Sequence, residues 1–118
     1  MATVPKINLK IPQGTTYTHD FNYVETDGTT IIDLTGYTAR MQFRSEKSAA
    51  APFHEATTEN SGIIIVPAEG KITFNLSDAD SSAFTDYAGF YDLEIASSGG
   101  VITRVVEGKV TINQEVTR

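Results

Sequence analysis

The sequence contains no cysteine and no tryptophan in 118 residues. Without cysteine there is no disulfide framework, no thiolate nucleophile and no cysteine-based zinc site. No apolar run approaches the roughly 18 residues that a membrane-spanning helix needs. The first residues, MATVPKINLKIPQG, also lack the apolar segment of a signal peptide. We therefore expect neither a membrane partner nor secretion by that route.

Basic runs are absent as well. The nine lysine and arginine residues stand singly, and the formal net charge is −6 at pH 7. A surface that follows a phosphate backbone usually shows a basic cluster in the sequence. A nucleic-acid partner is therefore not expected, and the acidic balance favours solubility.

Alternation of apolar and polar residues is what the sequence has in abundance. It recurs in KINLKIP, YTHDFNY, YTARMQFR, KITFNL and GFYDLEI, and period two is the signature of half-buried β-strands. Strands that each bury one face form a sandwich of two sheets. We predict one all-β domain over residues 1–118, an antiparallel β-sandwich of about 7–9 strands, with a polar, mobile loop near 45–52.

An Asp-Gly pair that ends at Gly28 predicts a β-hairpin, because a two-residue type I′ turn needs positive φ at both positions. The implied register places Tyr23 opposite Ile32 and Phe21 opposite Leu34. Both pairs then lie on one face, which supports this register.

The parity of the apolar residues reverses at Gly36. Leu34 faces the core on one parity, whereas Tyr37 and the alternate residues after it face the core on the other. A chain that leaves one sheet and enters the facing sheet must reverse its inner side. Glycine most readily adopts the unusual backbone angles of such a bend. We predict a sheet-crossing corner at Gly36, with Leu34 and Tyr37 against the same core.

The last strand has two possible orientations. If the odd-numbered residues of 101–105 face the core, Arg104 stays in solvent, but a bulge is needed at Gly108. If the even-numbered residues of 102–106 face the core, no bulge is needed, but Arg104 is buried. Burial of an unpaired cation costs far more than a glycine bulge, so the bulge is preferred.

The order of elements around residues 71–95 resembles that of immunoglobulin-like domains. There a strand, a short helical corner and a G-x-Y-x-L strand follow one another, and the tyrosine hydroxyl reaches back to the backbone of the corner. Here a helical turn is predicted near 77–84, with Ser77 as its cap, and Tyr91 matches the tyrosine. Leu93 stands where a cysteine would lie in an antibody-type domain.

A more specific resemblance covers nearly the whole chain. Its parts are a strand that ends in Gln-Gly, the Asp-Gly hairpin, and the blocks IDLTGYTARMQFR (32–44), GKITF (70–74) and GFYDLE (89–94). This layout resembles small structural proteins of tailed bacteriophages, and is similar to the N-terminal immunoglobulin-like domain of phage upper baseplate proteins. The upper baseplate members continue into a long C-terminal extension beyond the matched part. The resemblance therefore implies a virion component, assembled in the host bacterial cytoplasm.

Candidate catalytic chemistry is sparse. His19 and His54 have no serine elbow of the G-x-S-x-G type near them, so packing or surface roles are expected. Asp78, Asp80 and Ser82 follow the first spacings of a calcium loop, but the required glycine and glutamate positions are occupied by other residues. We predict no catalytic residue, no metal site and no cofactor.

The predicted function is that of a non-enzymatic structural or assembly protein of a phage particle. Its partners would be other virion proteins and copies of itself. The alternative is a ligand-binding sandwich such as a carbohydrate-binding module, which usually presents flat aromatic rings on an exposed face. Most tyrosines and phenylalanines here fall on core parity, so carbohydrate is disfavoured. The candidate interface consists of the outward pair Val24 and Ile31 together with Phe90 or with the alanine-rich loop at 49–51, since exposed apolar patches mark contact surfaces.

Overall fold

The computed structural model describes residues 5–24 and 30–116, and about half of this part consists of β-strands. A short helix, α1, and one 3₁₀ turn are the other elements of the described part. The strands are β1 (Leu9–Pro12), β2 (Tyr17–Asn22), β3 (Thr38–Arg44), β4 (His54–Thr57), β5 (Ile63–Val66), β6 (Lys71–Leu76), β7 (Ala88–Ala96) and β8 (Ile102–Asn113). The 3₁₀ turn spans Pro67–Glu69 and α1 spans Asp78–Ser82.

The strands form two sheets. One has five strands in the order β1-β8-β7-β3-β4, and the other has three in the order β2-β6-β5. This is the immunoglobulin-like β-sandwich that the sequence predicts. The pairing differs from the prediction at one place, because β1 runs parallel to β8, with Leu9 opposite Val110. The first and last strands of the described chain therefore lie side by side.

The core lies between the sheets and is made by strict alternation along the strands. β6 alternates half-buried and buried residues, and β7 does the same after its first residue, as expected for strands with one face inward. Aromatic rings gather around Phe43. The fully buried large side chains are Phe43, Phe74, Leu9, Ile11, Leu34, Met41, Ile63, Ile72, Leu76, Leu93, Ile95 and Val106.

The corner at Gly36 is confirmed. Gly36 has φ of +82°, and the Tyr37 N–H donates to the Leu34 carbonyl at 3.0 Å, which closes a tight turn. The Leu34 N–H donates to Pro67, directly after β5 of the three-stranded sheet. The chain then enters β3 of the five-stranded sheet. Leu34 is fully buried and Tyr37 is half-buried against the same core.

Replacement of Gly36 by valine is expected to lower the free energy of unfolding by about 1–3 kcal/mol, because a β-branched residue is strained at positive φ. A Cβ at this position meets only Ser98, at 3.6 Å or more, which is ordinary contact. The cost therefore comes from the backbone and not from a clash. Gly36→Asn is the matched control, since asparagine tolerates positive φ better. Equal denaturant midpoints for the valine variant and the wild type would contradict the assignment.

The predicted hairpin is present over a shorter length than expected. Val24 and Ile31 form an antiparallel bridge, and this bridge has the predicted register. The turn with Gly28 lies outside the described residues. The expected pairing of Phe21 with Leu34 is wrong, because Leu34 has already left to cross between the sheets and Phe21 pairs with Ile72 of β6.

The last strand has a bulge, but not at Gly108. The register of β7 and β8 shifts between Leu93, which faces Val106, and Glu94, which faces Arg104. Val105 is the extra residue, so Val105 and Val106 are both buried. Arg104 stays exposed, as predicted. The bulge lies three residues earlier than predicted because two consecutive valines can both be buried where the pairing slips by one residue.

The predicted burial of Val101, at the start of this strand, is wrong. Val101 was expected to face the core, but 66% of it is exposed, and it precedes β8. It belongs to the turn between β7 and β8, where the Ser97 N–H donates to its carbonyl. The bulge changes the inward parity only from Val106 onward, while Thr103 faces Ile95 and is half-buried.

The helical turn and the long loop lie where the sequence predicts them. Ser77 caps α1, and its hydroxyl accepts a hydrogen bond from the Asp80 N–H at 3.1 Å. This cap satisfies one of the free N–H groups at the start of a helix. Residues 45–52 join β3 to the edge strand β4 through bends and turns, and the mobility of this loop stays a prediction.

Candidate functional site on the outer face of the five-stranded sheet

Tyr91 connects β7 to the chain just before β1. Its side chain is buried, and its hydroxyl donates a hydrogen bond of 2.6 Å to the Ile7 carbonyl. The predicted partner, the backbone of the helical corner, is therefore wrong. The inward side chain of β7 reaches across β8 toward the N-terminal segment and not back toward α1. Burial raises the pKa of the Tyr91 phenol well above its usual range.

Gly108 makes this contact possible. It lies directly opposite Tyr91, and a Cβ added to it would lie 2.1 Å from the Ile7 carbonyl oxygen. The Ile7 carbonyl is turned toward Tyr91. The Lys109 N–H donates to the side-chain oxygen of Asn8, at 3.0 Å, and not to the Ile7 carbonyl. Gly108 is therefore a position of close backbone approach, and this explains a glycine that the sequence assigned to a bulge.

The variant Tyr91→Phe is expected to lose about 1–2 kcal/mol of unfolding free energy, because the Ile7 carbonyl loses its donor while the ring still fills its space. Tyr87→Phe is the control, since Tyr87 is 39% exposed and its loss of a hydroxyl should change little. Thermal or denaturant unfolding measures both. A Tyr91→Phe variant as stable as Tyr87→Phe would remove the structural role of this hydroxyl.

Phe90 lies next to Tyr91 and faces the opposite way, onto the outer face of the five-stranded sheet. Its cross-strand neighbours are Arg44 on β3 and Lys109 on β8. Two adjacent hollows of about 340 and 280 Å³ meet at the Phe90 ring. Lys47 and Glu107 border both hollows, and Lys6 borders the smaller one. We call this surface, formed by Phe90 with Arg44, Lys47, Lys109 and Lys6, the Phe90 groove.

Two of its cations are held in position. The Lys47 ammonium lies 5.6 Å from the centre of the Phe90 ring, a cation–π distance. The Arg44 guanidinium donates to the Ala49 carbonyl at 2.7 Å and to the Gln42 side chain at 2.8 Å. The loop after β3 thus folds back over this face and keeps both charges beside the ring.

The larger hollow is also lined by a band of ion pairs. Arg104 contacts Asp92 at 3.5 Å and Glu107 at 3.4 Å, and Arg40 contacts Glu94 at 3.5 Å. Partial burial and the neighbouring Glu94 raise the pKa of Asp92. Within the described residues these pairs occupy Arg40 and Arg104, while the cations of the Phe90 groove have no carboxylate partner.

The charge of the molecule is unevenly distributed. The lysine and arginine residues other than Lys71 and Arg118 lie on the five-stranded sheet, in its β3–β4 loop or, for Lys6, in the segment just before β1; Arg118 is outside the described residues. Lys71 lies on β6 of the other sheet, paired with Glu69 at 3.9 Å. In a protein of net charge −6, most cations are therefore gathered on one sheet, where Glu55, Asp92, Glu94 and Glu107 also lie.

The predicted interface does not form one patch. Val24 and Ile31 lie at the end of the three-stranded sheet, where 52% of Ile31 is exposed, whereas Phe90 lies on the outer face of the opposite sheet. Sequence reasoning missed Arg44, Lys47 and Lys109 as neighbours of Phe90. The outward parity of Arg44 was available in the alternation of β3, but its alignment with Lys109 depends on the register of three strands.

His54 is packed among aromatic rings. The His54 ring lies 5.5 Å from the Phe43 and Phe84 rings, and burial lowers its pKa. In the part of the chain that the structure describes, no hydrogen bond joins it to Ser77 or Asp80. Within 5–24 and 30–116, no group of metal-binding side chains is found, and no helix is long and apolar enough to cross a membrane.

Comparisons with known proteins identify no family for this chain. No family model and no curated protein matches the chain. Among solved structures it is similar to extracellular domains 3–5 of Drosophila OTK, with a TM-score of 0.40 and 12% identity. The match covers 97% of this chain and 35% of that one. The fold assignment rests on the strand order and pairing described above.

Proposed function

We propose that this protein is a non-enzymatic structural and assembly protein of a tailed-phage particle, at its neck, tail, baseplate or capsid surface. It acts through contacts with other virion proteins and with copies of itself. The support for a phage origin is the resemblance of the blocks 32–44, 70–74 and 89–94. These blocks contribute the sheet-crossing corner and the strands β3, β6 and β7, so the resemblance includes the framework of the domain.

The observation that supports a contact role is the Phe90 groove. It is a shallow, charged surface and not an enclosed pocket, and the loop at 45–52 positions two of its cations, Arg44 and Lys47. Protein contact surfaces are enriched in arginine and in aromatic side chains, which Arg44 and Phe90 supply here. Binding through surface contacts needs a rigid sheet beneath the contacting side chains, which the sandwich provides.

The alternative, a carbohydrate-binding module, has less support. Such a module stacks a sugar ring on an exposed aromatic face, and Phe90 is the outward aromatic of the five-stranded sheet. Its ring is half-buried and carries the Lys47 ammonium above it. The position that a sugar would take is therefore occupied by a cation.

The test is to purify particles from the strain that carries the gene and to search for the chain by mass spectrometry at a fixed ratio to the major capsid protein. Two double variants then locate the contact: Val24→Asp with Ile31→Lys on one sheet, and Lys47→Glu with Lys109→Glu on the other. Folded variants that fail to enter particles identify the face that binds. Absence of the wild-type chain from particles would overturn the proposal.

A further inference from the structure

Among the described residues, the cations of the Phe90 groove form no ion pair, whereas Arg40 and Arg104 nearby are both paired. Lys109 and Arg44 face each other across Phe90 on three neighbouring strands. Adjacent strands lie about 4.8 Å apart, so the two cations are close enough for one bound segment to contact both. Uncompensated like charges repel, and a bound anion would relieve this repulsion. The groove is therefore electrostatically suited to an acidic ligand.

Arg44 is already oriented for such a ligand. Its two terminal nitrogens each donate one hydrogen bond, to Ala49 and to Gln42, and the Gln42 amide nitrogen in turn donates to Glu55 at 2.6 Å. A guanidinium has five N–H donors, so further donors remain for a carboxylate. Because the side chain is held before binding, little conformational entropy is lost when the ligand arrives.

The neighbouring charges favour a polypeptide over a nucleic acid. Three carboxylates, Asp92, Glu94 and Glu107, line the larger hollow, and Glu107 lines the smaller one as well. A continuous phosphate backbone would run against these carboxylates and against the net charge of −6. An acidic peptide segment can place separate carboxylates on the cations and neutral residues beside the acidic band.

We propose that the Phe90 groove binds an acidic segment of a partner polypeptide, with its carboxylates on Arg44, Lys47 and Lys109. Phe90 lies beneath the ligand and keeps the Lys47 ammonium raised above the sheet. The inference rests on the proposed function, in which the partner is another virion protein. It extends that function by naming the chemistry of the partner surface and the side chains that recognise it.

Binding is measured by fluorescence anisotropy with a labelled peptide that carries glutamate at alternate positions, and with a matched peptide that carries lysine instead. We expect the glutamate peptide alone to bind, and its affinity to fall as salt is raised. Lys47→Glu and Lys109→Glu should each weaken binding by about tenfold. Lys71→Glu changes the net charge equally but lies on the other sheet, so it should weaken binding by less than about twofold. Circular dichroism confirms that each variant is folded.

Several results would overturn the inference. These are no salt-sensitive binding of the glutamate peptide, an equal loss with Lys71→Glu, or displacement of the peptide by inorganic phosphate or a short oligonucleotide. Self-association in sedimentation that Lys47→Glu abolishes would identify the chain's own acidic surface as the ligand instead. Peptide binding by a chain that is absent from particles would overturn the phage assignment alone. A chain present in particles without peptide binding would overturn this inference alone.

Discussion

Phe43→Ala is expected to lower the free energy of unfolding by about 3–5 kcal/mol, because it removes a fully buried aromatic side chain and leaves a cavity. Phe43 is 0% exposed and lies on β3, in the middle of the core. Five other rings surround it with centres 5.5 to 6.4 Å away. They belong to Phe53, His54, Phe74, Phe84 and Tyr91.

The size of this effect follows from the rigidity of the surroundings. The rings around Phe43 come from both sheets and from the segment after α1, so no single element can move inward to fill the space. Phe90→Ala is the matched control, since it removes the same atoms from the outer face of the neighbouring strand. It should cost less than about 1 kcal/mol. Similar denaturant midpoints for the two variants would contradict the position of Phe43 at the centre of the core.

Gly108→Ala is the second large expected effect, a loss of about 2–4 kcal/mol from overpacking together with a lost hydrogen bond. The added methyl group would lie 2.1 Å from the Ile7 carbonyl oxygen and 2.8 Å from its carbon. These are backbone atoms, so the segment before β1 must move away from β8. That movement also separates the carbonyl from the Tyr91 hydroxyl.

The control is Gly99→Ala, where the nearest atom to the added methyl group is the Ser97 hydroxyl at 3.8 Å and the backbone is not left-handed. We expect a change within about 0.5 kcal/mol there. Hydrogen exchange adds a local readout, because in Gly108→Ala the amide of Ile7, which donates to Glu107 at 2.9 Å, should lose protection. An Ile7 amide as protected as in the wild type would mean that the strand pair accommodates the methyl group.

The effect of Phe43→Ala can be expected from the sequence of one strand, whereas the effect of Gly108→Ala can be expected only from the tertiary structure. Burial of Phe43 follows from the alternation of apolar and polar residues along its own strand. The need for glycine at position 108 follows only from the neighbour of that strand, because the atoms that exclude a Cβ belong to Ile7, about a hundred positions earlier in the chain. Sequence reasoning therefore noticed Gly108 but assigned it the wrong role.

The sequence by itself determined the features that depend on a few neighbouring residues. Period-two alternation predicts the strands and their inward faces, positive φ at Gly36 follows from the reversal of parity, and the cap at Ser77 follows from its place before Asp78 and Asp80. In each case the physical cause is local. Backbone sterics and side-chain spacing act within one turn or one strand, so the pattern can be read without knowing what lies opposite.

The tertiary structure alone decided which distant segments meet. The parallel pairing of β1 with β8, the bulge at Val105, the Ile7 carbonyl as partner of Tyr91, and the alignment of Arg44 with Lys109 beside Phe90 all depend on the register between strands far apart in the chain. Alternation excludes a register shift of one residue, since this moves every side chain to the other face, but it specifies neither the partner strand nor a shift of two residues. The candidate site is built from such alignments, and that is why the sequence predicted Phe90 but not the cations around it.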